Sequence, residues 1–449
     1  MNNSSHKNPT HEKPTHEEPV LRSSVDEKLL FANQAATESL RVIARLSDEG
    51  YVAYLAGGCV RDALLGHTPK DFDVATNATP DSVRELFGKR ETLAFGASFG
   101  VIAVLPPRDK RNSSSDAVAP TEVATFRSDG EYSDGRHPDS VQFGSAEEDA
   151  LRRDFTINGM FYDPQAGKVI DFVGGKEDLK SGVLRTIGNP RARFDEDKLR
   201  MLRAVRFATT LGLDVHMDTV AAIQQFADEI SVVSGERIGT EMRKVLTSPR
   251  AADGLQLLQT CRLAKVVLPE IVKADIVLIR RYFDALSIRD VPSVLASLLI
   301  SQTLTSKDIH PIASRWKLSN EEQRQSMSAI DHASDVVMAK SRLWSEMQPL
   351  LINRDIGEIV NVAQAVAVAE GHSVAGVEFA KEALHWPHEK LHPQPLLTGD
   401  DLQEHAFPAG PIFSKILSEV RRAQLDGEIT TQKQAITLAK RIVDVARES

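Results

Sequence analysis

The chain has 449 residues, of which 41% are hydrophobic and 26% charged, and its formal net charge is −9. This length exceeds what one compact core accommodates, so we expect about two to four domains. No run of about eighteen apolar residues occurs, which excludes a membrane-spanning helix. Two cysteines, Cys59 and Cys261, exclude a disulfide scaffold and predict a reducing, cytoplasmic location. The acidic total argues mildly against a polyanionic partner.

The predicted elements begin after a polar, proline-rich tail at residues 1–23, which is predicted to be disordered because it has few apolar residues to bury. A helix is predicted from Ser24, which forms a capping box with Glu27, to a stop at Gly50. A strand is predicted over 51–56. Further strands are predicted over 91–95, 101–105, 121–126, 140–143 and 168–172.

From about residue 190 to the end, apolar residues recur almost throughout at helical spacing. Strands first and helices afterwards predict segregated domains rather than alternating βαβ units. We therefore predict an α+β fold, with a mixed sheet and helices over 24–172. All-α domains are predicted over 173–273 and 274–449.

A pair of aspartates, Asp71 and Asp73, is the first candidate for chemistry. They are separated by one residue at a predicted strand start, so the twofold period of a strand places both carboxylates on one face. Two carboxylates this close repel each other unless a cation lies between them, and such oxygen pairs suit Mg²⁺ that carries substrate phosphates. Upstream, Gly57-Gly58 allows the backbone to approach a phosphate closely, and Arg61 offers a guanidinium that binds phosphate through two hydrogen bonds.

These residues lie in the stretch 55–79 (LAGGCVRDALLGHTPKDFDVATNAT), which resembles the first signature of a known enzyme family. The family comprises the class II tRNA nucleotidyltransferases, or CCA-adding enzymes, and the bacterial poly(A) polymerases. The resemblance implies a polymerase-β-like nucleotidyltransferase head over 24–172. It also implies a helical neck over 173–273 that selects the nucleotide, and a helical body and tail over 274–449 that bind tRNA.

A second stretch, 152–160 (RRDFTINGM), is similar to the family motif R-R-D-F-T-I-N-A-M, with Gly159 in place of the usual alanine. On the residues alone, these charges at the end of a helix would indicate a surface cluster. The resemblance implies instead that Arg153, Asp154 and Asn158 bind the ribose and triphosphate of the incoming nucleotide.

A third stretch, 194–207 (FDEDKLRMLRAVRF), contains four charged residues at intervals of three, which predicts that they line one face of one helix. They are Asp197, Arg200, Arg203 and Arg206. An ion pair on a solvated helix face is the alternative interpretation. The resemblance implies that Asp197 and Arg200 form a protein template for the incoming base, and that the other two arginines bind nucleotide.

The chemistry of such a template follows from hydrogen bonding. Cytosine and adenine each present an amino donor beside an unprotonated ring nitrogen, which a carboxylate acceptor (Asp197) and a guanidinium donor (Arg200) match. Uracil and guanine present the reverse pattern, so a buried site would reject them. The motif therefore predicts CTP and ATP as substrates.

A third carboxylate, Glu122, begins the predicted strand 121–126 and is a candidate member of a two-metal site. A structural ion pair is an equally good interpretation of this residue. We predict that Asp71 and Asp73 hold two Mg²⁺ ions and that catalysis rests on positioning and charge neutralisation.

Two further stretches bear on the RNA partner. Residues 94–102 (AFGASFGVI) look like a pattern of the tRNA-directed members, and the segments at 397–402, 408–411 and 421–429 resemble the tail of bacterial CCA-adding enzymes. These resemblances imply addition of C and/or A to the 3′ acceptor end of tRNA. A poly(A) polymerase and a CC- or A-adding specialist remain alternatives. A non-catalytic RNA-binding relative would have lost the paired aspartates.

The uneven distribution of charge is compatible with this RNA partner. Between Arg185 and Arg206, seven basic residues stand against three acidic ones, which leaves a local charge of +4. Such a segment can bind phosphates even in a chain that is acidic as a whole.

Overall fold

The chain divides into two compact units, Met1–Phe226 and Ala227–Ser449, called here the first and the second unit. The predicted domain boundaries after 172 and 273 remain predictions. Among the described residues, no helix is long and apolar enough to cross a membrane. The computed structural model describes residues 25, 27–96, 99–107, 118–130, 140–407 and 410–448.

The predicted tail at 1–23 and the predicted cap Ser24 lie outside the described residues. So do residues 97–98 within the tRNA-type pattern and residues 408–409 within the tail pattern. The three-dimensional structure therefore bears only on the remaining parts of those two patterns.

The first unit contains a mixed sheet of seven strands, which confirms the predicted α+β class. The strands of this unit are β1 Ala53–Ala56, β2 Asp73–Thr76, β3 Thr92–Gly96, β4 Val101–Val104, β5 Thr121–Thr125, β6 Arg127–Asp129, β7 Val141–Phe143, β8 Met160–Asp163, β9 Lys168–Asp171, β10 Val183–Leu184 and β11 Asp214–Val215. Two pairs of strands, β6–β7 and β10–β11, form separate two-stranded sheets. The order in the main sheet is β3-β4-β5-β2-β1-β8-β9. Strand β2 pairs antiparallel with β1 and parallel with β5, so it lies at the centre of the sheet.

Strand β8 is absent from the predicted elements because its residues follow directly on a charged motif. Its sequence, MFYD, is apolar and aromatic, and Phe161 is fully buried against Phe126 at 5.9 Å between ring centroids. A second addition is the short parallel pair β10–β11, which lies within the segment predicted to be all-helical. Strand β8 pairs with β1, about a hundred residues earlier, as well as with the neighbouring β9, and β10 pairs with β11 about thirty residues later. Local periodicity does not show the longer-range pairings.

The helices of the first unit are α1 Glu27–Leu30, α2 Gln34–Asp48, α3 Gly58–Leu64, α4 Pro80–Phe87, α5 Ala146–Leu151, α6 Gly175–Lys180, α7 Pro190–Glu196, α8 Leu199–Leu211 and α9 Met217–Phe226. The prediction of one continuous helix from Ser24 to Gly50 is wrong, because the chain breaks before α2. There the Asn33 side chain accepts the Ala36 N–H at 2.9 Å and starts a new helix as its N-cap.

The described residues of the second unit form helices joined by turns, as predicted. The helices are α10 Gly235–Leu246, α11 Ala251–Thr260, α12 Ala264–Val267, α13 Ile276–Ala285, α14 Val291–Ser301, α15 Ile309–Trp316, α16 Asn320–Val337, α17 Trp344–Leu351, α18 Ile356–Glu370, α19 Ala375–Ala383, α20 His388–Leu391, α21 Gly399–Glu404, α22 Ile412–Leu425 and α23 Gln432–Glu448. The fully buried Trp316 donates its indole N–H to the Val267 carbonyl at 2.9 Å. Near the end of the chain, α22 and α23 enclose a separate apolar cluster that includes Leu402, Ile416 and Ala435.

Candidate active site

The paired aspartates lie where β2 begins, at the centre of the main sheet. Asp71 and Asp73 are exposed, whereas Phe72 between them is buried, so the predicted alternation of faces is confirmed. Ala56, the last residue of β1, is the register partner of Asp73, which brings the following Gly57 turn close to this carboxylate. The site therefore forms where two neighbouring strands meet a tight turn.

Glu122 lies on the other side of Asp73. The parallel register pairs Val74 of β2 with Val123 of β5, so the residues that precede them are neighbours on the same face. Glu122 is exposed there, as Asp73 is. Its role as a third metal-directed carboxylate remains a prediction.

The surroundings of Asp73 disfavour its negative charge. Burial by the protein atoms around the carboxylate, together with the nearby charges of Glu122 and Asp71, raises the pKa of Asp73 to about 6, although the charge of Arg153 opposes this shift. Asp73 still reaches solvent, so these carboxylates are open to a ligand from outside. The arrangement is one that a bound cation would stabilise.

The donor set at this edge fits Mg²⁺ that arrives with phosphates. Among the described residues, no group of three or more His, Cys, Asp or Glu side chains is placed to enclose a metal ion by itself. Mg²⁺ is usually held by one or two carboxylates together with substrate phosphates and water, rather than by an all-protein cage. Asp71 and Asp73 offer that incomplete set of ligands.

At the Gly57 turn, the backbone lies close to the side chain of Arg153. Gly57 has φ +69°, a left-handed conformation that favours glycine, and its N–H donates to the Met160 carbonyl at 3.0 Å. A Cβ at this position would lie 3.0 Å from Nη1 of Arg153 and 3.5 Å from the Asn158 carbonyl oxygen. Glycine is therefore required both by the backbone angle and by the arginine beside it. Gly58 follows as the first residue of α3.

A chain of hydrogen bonds joins four of the predicted nucleotide-binding residues. Arg61 donates from Nη1 to Oδ1 of Asn158 at 2.6 Å, and Asn158 donates from Nδ2 to Oδ1 of Asp154 at 3.0 Å. The other oxygen of Asp154, Oδ2, accepts from Nε of Arg203 at 2.9 Å. Burial by itself would raise the pKa of Asp154, but Arg203 and the hydrogen bonds from Asn158 and the Phe155 N–H hold this pKa down at about 2. Asp154 is thus a charged residue that orients its neighbours.

The guanidinium of Arg153 is held from three directions. It donates from Nε and Nη2 to Oδ2 of Asp149, at 3.1 and 2.9 Å, and from Nη1 to the Asn158 carbonyl at 3.3 Å. Its Cζ lies 5.0 Å from the ring centroid of Phe161. Asp149 is a residue that the motif did not single out, although its spacing of four residues from Arg153 on a helix would have suggested an ion pair.

The prediction that Asp197 shares one helix face with the three arginines is wrong. Helix α7 ends at Glu196, and Asp197 is extended, with φ −151° and ψ 107°. Its Oδ1 accepts the Leu199 N–H at 3.0 Å and so starts α8. Arg200, Arg203 and Arg206 all lie on α8, as predicted.

Arg200 forms its ion pair with Glu196, the residue before the proposed template aspartate. It also donates to the Arg193 carbonyl at 3.1 Å, and Glu196 in turn binds the Arg193 guanidinium at 3.0 Å. Glu196 belongs to the template motif, E-D-x-x-R, but no separate role was predicted for it. It fixes the position of the guanidinium that is predicted to meet the base.

Three of the predicted arginines surround one aromatic ring. The Cζ atoms of Arg61 and Arg203 each lie 5.2 Å from the ring centroid of Phe207, and that of Arg206 lies 3.8 Å from it. Guanidinium groups at such distances are attracted by the electron-rich face of a phenyl ring. Phe207 is a buried residue of α8. Its ring also holds the guanidinium groups of these three arginines close together.

Comparisons with known proteins agree with this geometry. Three family models match successive parts of the chain: "Poly A polymerase head domain" at 53–185, "Probable RNA and SrmB- binding site of polymerase A" at 212–274, and a model of tRNA nucleotidyltransferase domain 2 at 286–439. The CCA-adding enzyme of Geobacillus thermodenitrificans is 33% identical over 417 residues, which cover 89% of this chain and 95% of that enzyme. Poly(A) polymerase I of Salmonella typhi is 41% identical over 246 residues, which cover 52% of this chain and 50% of that protein.

Among solved structures, the Bacillus stearothermophilus CCA-adding enzyme in complex with CTP is similar to this chain with a TM-score of 0.73 and 29% sequence identity. The match covers 93% of this chain and all of the other. The similarity thus extends through both units and is not confined to the motifs around the paired aspartates. The chain belongs to the family of the CCA-adding enzymes, which are nucleotidyltransferases.

Proposed function

We propose that this enzyme adds C and A residues, taken from CTP and ATP, to the 3′ end of tRNA. The observation that carries the proposal is the extent of the similarity. The Geobacillus CCA-adding enzyme matches over 95% of its length, whereas the match to poly(A) polymerase I covers only half of that protein. The tRNA nucleotidyltransferase model at 286–439 lies in the helical second unit, which supports the same choice.

The carboxylates of Asp71 and Asp73 would hold the divalent cations of the reaction. When bound there, Mg²⁺ would neutralise the triphosphate and lower the pKa of the attacking 3′ hydroxyl group. The two side chains are exposed at the start of β2, so a nucleotide and an RNA end can reach them from solvent. Their mutual repulsion, reflected in the raised pKa of Asp73, favours the cation-bound state.

The arginines of the site would bind and orient the triphosphate. The turn at Gly57 and Gly58 lets phosphates approach the backbone, while Arg61, Arg153 and Arg203 present guanidinium groups already fixed by protein partners. Arg206 belongs to the same set by its position on α8 next to Phe207. Because these side chains are ordered before the substrate arrives, less conformational entropy is lost on binding.

Asp197 and Arg200 would select the base. The carboxylate of Asp197, whose Oδ1 accepts the Leu199 N–H, would accept the exocyclic amino group of cytosine or adenine. Arg200 is fixed by Glu196 and would donate to the unprotonated ring nitrogen. A mismatch at either residue leaves a buried polar group unpaired, which is the strongest form of substrate rejection.

We further propose that the enzyme works in a reducing compartment such as the cytoplasm. Cys59 and Cys261 are both free and buried. Burial raises the pKa of each thiol to about 12, so both stay protonated and chemically inert.

The test is an incorporation assay on defined RNA ends. Purified enzyme is incubated with tRNA that lacks CCA, or with tRNA that ends in CC, in the presence of Mg²⁺ and labelled CTP or ATP. We expect addition of C, C and A to the first RNA and of a single A to the second. A long A tail on unstructured RNA would identify a poly(A) polymerase instead. Products that stop after CC, or A added only to the CC-ending RNA, would identify a specialist.

A further inference from the structure

A buried aspartate lies directly behind the arginines of the R-R-D motif. Asp149 is on α5, is fully buried, and precedes Arg152 and Arg153 by three and four residues. Its Oδ1 accepts from Nε and Nη2 of Arg152, at 2.9 and 2.6 Å. Its Oδ2 accepts from Nε and Nη2 of Arg153, at 3.1 and 2.9 Å. One carboxylate thus binds two guanidinium groups, one on each oxygen.

This contact determines which way Arg153 points. A guanidinium has five N–H donors in a rigid plane, so bonding Nε and Nη2 to one oxygen fixes the orientation of that plane. The remaining terminal nitrogen, Nη1, then lies against the Asn158 carbonyl and beside the Gly57 turn. The ring of Phe161 closes one face of the guanidinium. Held in this way, Arg153 lies close enough to the start of β2 for its charge to lower the pKa of Asp73.

Asp149 keeps its negative charge despite its burial. Burial alone would raise the pKa of Asp149, but Arg153 and Arg152 outweigh this effect and lower it. The guanidinium of Arg152 also lies 3.4 Å from the Asp129 carboxylate on β6. This contact anchors Asp149 and its two arginines to a second element of the fold. A carboxylate that is buried, charged and doubly paired is costly to reorganise, so it holds its partners firmly.

We propose that Asp149 is a positioning residue that orients Arg153 towards the triphosphate of the incoming nucleotide. The inference rests on the proposed function, in which Arg153 binds that nucleotide. Asp149 has no contact with substrate in this scheme. Its effect passes through the guanidinium of Arg153, which would otherwise sample several rotamers at the entrance to the site.

The decisive variant is Asp149→Asn. The amide keeps the shape of the side chain but replaces one acceptor oxygen with a donor, so one of the two guanidinium groups loses its partner. We expect the KM for CTP and the calorimetric Kd for CTP to rise about tenfold. We expect kcat to fall less than about threefold, because a contact made equally in the ground and transition states changes KM alone. A general loss of structure would instead lower the active fraction and kcat.

A double-mutant cycle separates positioning from simple electrostatics. In an Arg153→Ala background, Asp149→Asn should change the KM for CTP by less than about twofold, because the group it orients is gone. An unchanged tenfold effect in that background would show that Asp149 acts independently of Arg153 and would overturn the inference.

Two controls address folding. Glu38→Gln alters another buried carboxylate of the first unit, one that binds Arg41 at 2.8 Å, and should leave the KM for CTP at the wild-type value. Asp149→Ala combined with Arg152→Gln keeps the wild-type net charge, removes the repulsion between the two arginines and leaves Arg153 without a side-chain acceptor at position 149. This double variant serves if the single one does not fold, and its KM should also rise about tenfold.

The outcomes distinguish the two proposals. If the wild type binds CTP but does not extend tRNA, the proposed function fails, and the Kd comparison still decides the role of Asp149. If the wild type extends tRNA and the Asp149 variants keep KM and Kd within about twofold of wild type, the positioning role fails while the proposed function stands.

Discussion

The two aspartate motifs of the first unit use the same side chain for opposite purposes. At the start of β2, Asp73 is exposed and surrounded by other carboxylates, and burial together with these charges raises its pKa to about 6. In the R-R-D motif, Asp154 is bound by Arg203 and Asn158, which hold its pKa at about 2 despite burial. At Asp73, burial and the neighbouring carboxylates outweigh the charge of Arg153, whereas at Asp154 the charge of Arg203 and the hydrogen bonds outweigh burial.

This difference supports the proposal that Asp73 meets a ligand and that Asp154 orients its protein neighbours. A carboxylate without a cationic partner is destabilised in the free enzyme and gains most from an incoming cation. A carboxylate already paired with arginine gains little from one, and its role is to fix the direction of that arginine. The spacing of aspartates along the chain does not distinguish these two roles, because the role depends on which charged groups lie beside each carboxylate in the fold.

The largest effect should follow removal of the unneutralised carboxylate. We expect Asp73→Ala to lower CTP incorporation by at least about 1,000-fold, because a ligand of the metal ions is lost. Binding of tRNA in a filter or mobility-shift assay should stay within about twofold, since phosphate contacts made elsewhere carry it. Asp48→Ala, which removes an exposed aspartate at the end of α2, serves as the control. Wild-type incorporation by Asp73→Ala would refute the metal assignment.

A smaller effect should follow a change at the template aspartate. Asp197→Asn keeps the Oδ1 acceptor for the Leu199 N–H, so α8 should still form, but it offers a donor to the base. We expect the preference for CTP over UTP, measured as a ratio of kcat/KM, to fall about 30-fold. Asp195→Asn, at a side chain that is 64% exposed, is the matched control. Unchanged selectivity in Asp197→Asn would contradict the template.

The paired carboxylate should affect stability more than an exposed one. At pH 7 we expect Asp154→Asn to lower the free energy of unfolding by about 2 kcal/mol in urea denaturation. The folded pKa of Asp154 lies below its unfolded value, so the stabilisation is present above about pH 4 and is lost as pH falls towards 2. The difference in the free energy of unfolding between wild type and variant should therefore become smaller as the pH is lowered. A gap that is constant from pH 7 to pH 3 would mean that packing, not charge, is responsible.

The smallest expected effect is a gain in thermal stability rather than a loss. In metal-free buffer, Asp73→Asn should raise the thermal midpoint, because it removes repulsion from Glu122 and Asp71. Solvent and salt screen this exposed group, so we expect only about 1 kcal/mol, or roughly 2 °C in Tm. Added Mg²⁺ and CTP should stabilise the wild type more than the variant. A lower midpoint for the variant without metal would contradict the contrast between the two motifs.

The sequence allowed much of this site to be predicted, and the failures have physical causes. Strand alternation correctly placed Asp71 and Asp73 on one face, because burial of Phe72 fixes the register. The spacing of three residues placed Arg200, Arg203 and Arg206 on one helix, yet it extended that helix too far. Nothing in the periodicity reveals that Asp197 captures a backbone N–H and ends the preceding helix.

Other residues were missed because their importance lies in their partners. Asp149 and Glu196 resemble ordinary surface charges at helical spacing, and only the fold shows that they hold Arg153 and Arg200. Strand β8 was missed because its residues follow directly on a charged motif, although β8 pairs with β9, next in the chain, as well as with β1, about a hundred residues earlier. Local patterns therefore point to the groups proposed to touch substrate, whereas the groups that support them become visible only in the fold.

The ring of Phe207 carries a consequence for how this enzyme can change over evolutionary time. Because the guanidinium groups of Arg61, Arg203 and Arg206 all approach this one ring, a replacement there would disturb three binding groups in a single step. An apolar residue of similar volume would fill the space but would not attract the cations. By burial alone, Phe207 looks like an ordinary packing residue. We nevertheless expect an aromatic ring to be kept at this position wherever the three arginines are kept, even if other residues of similar volume would fill the core.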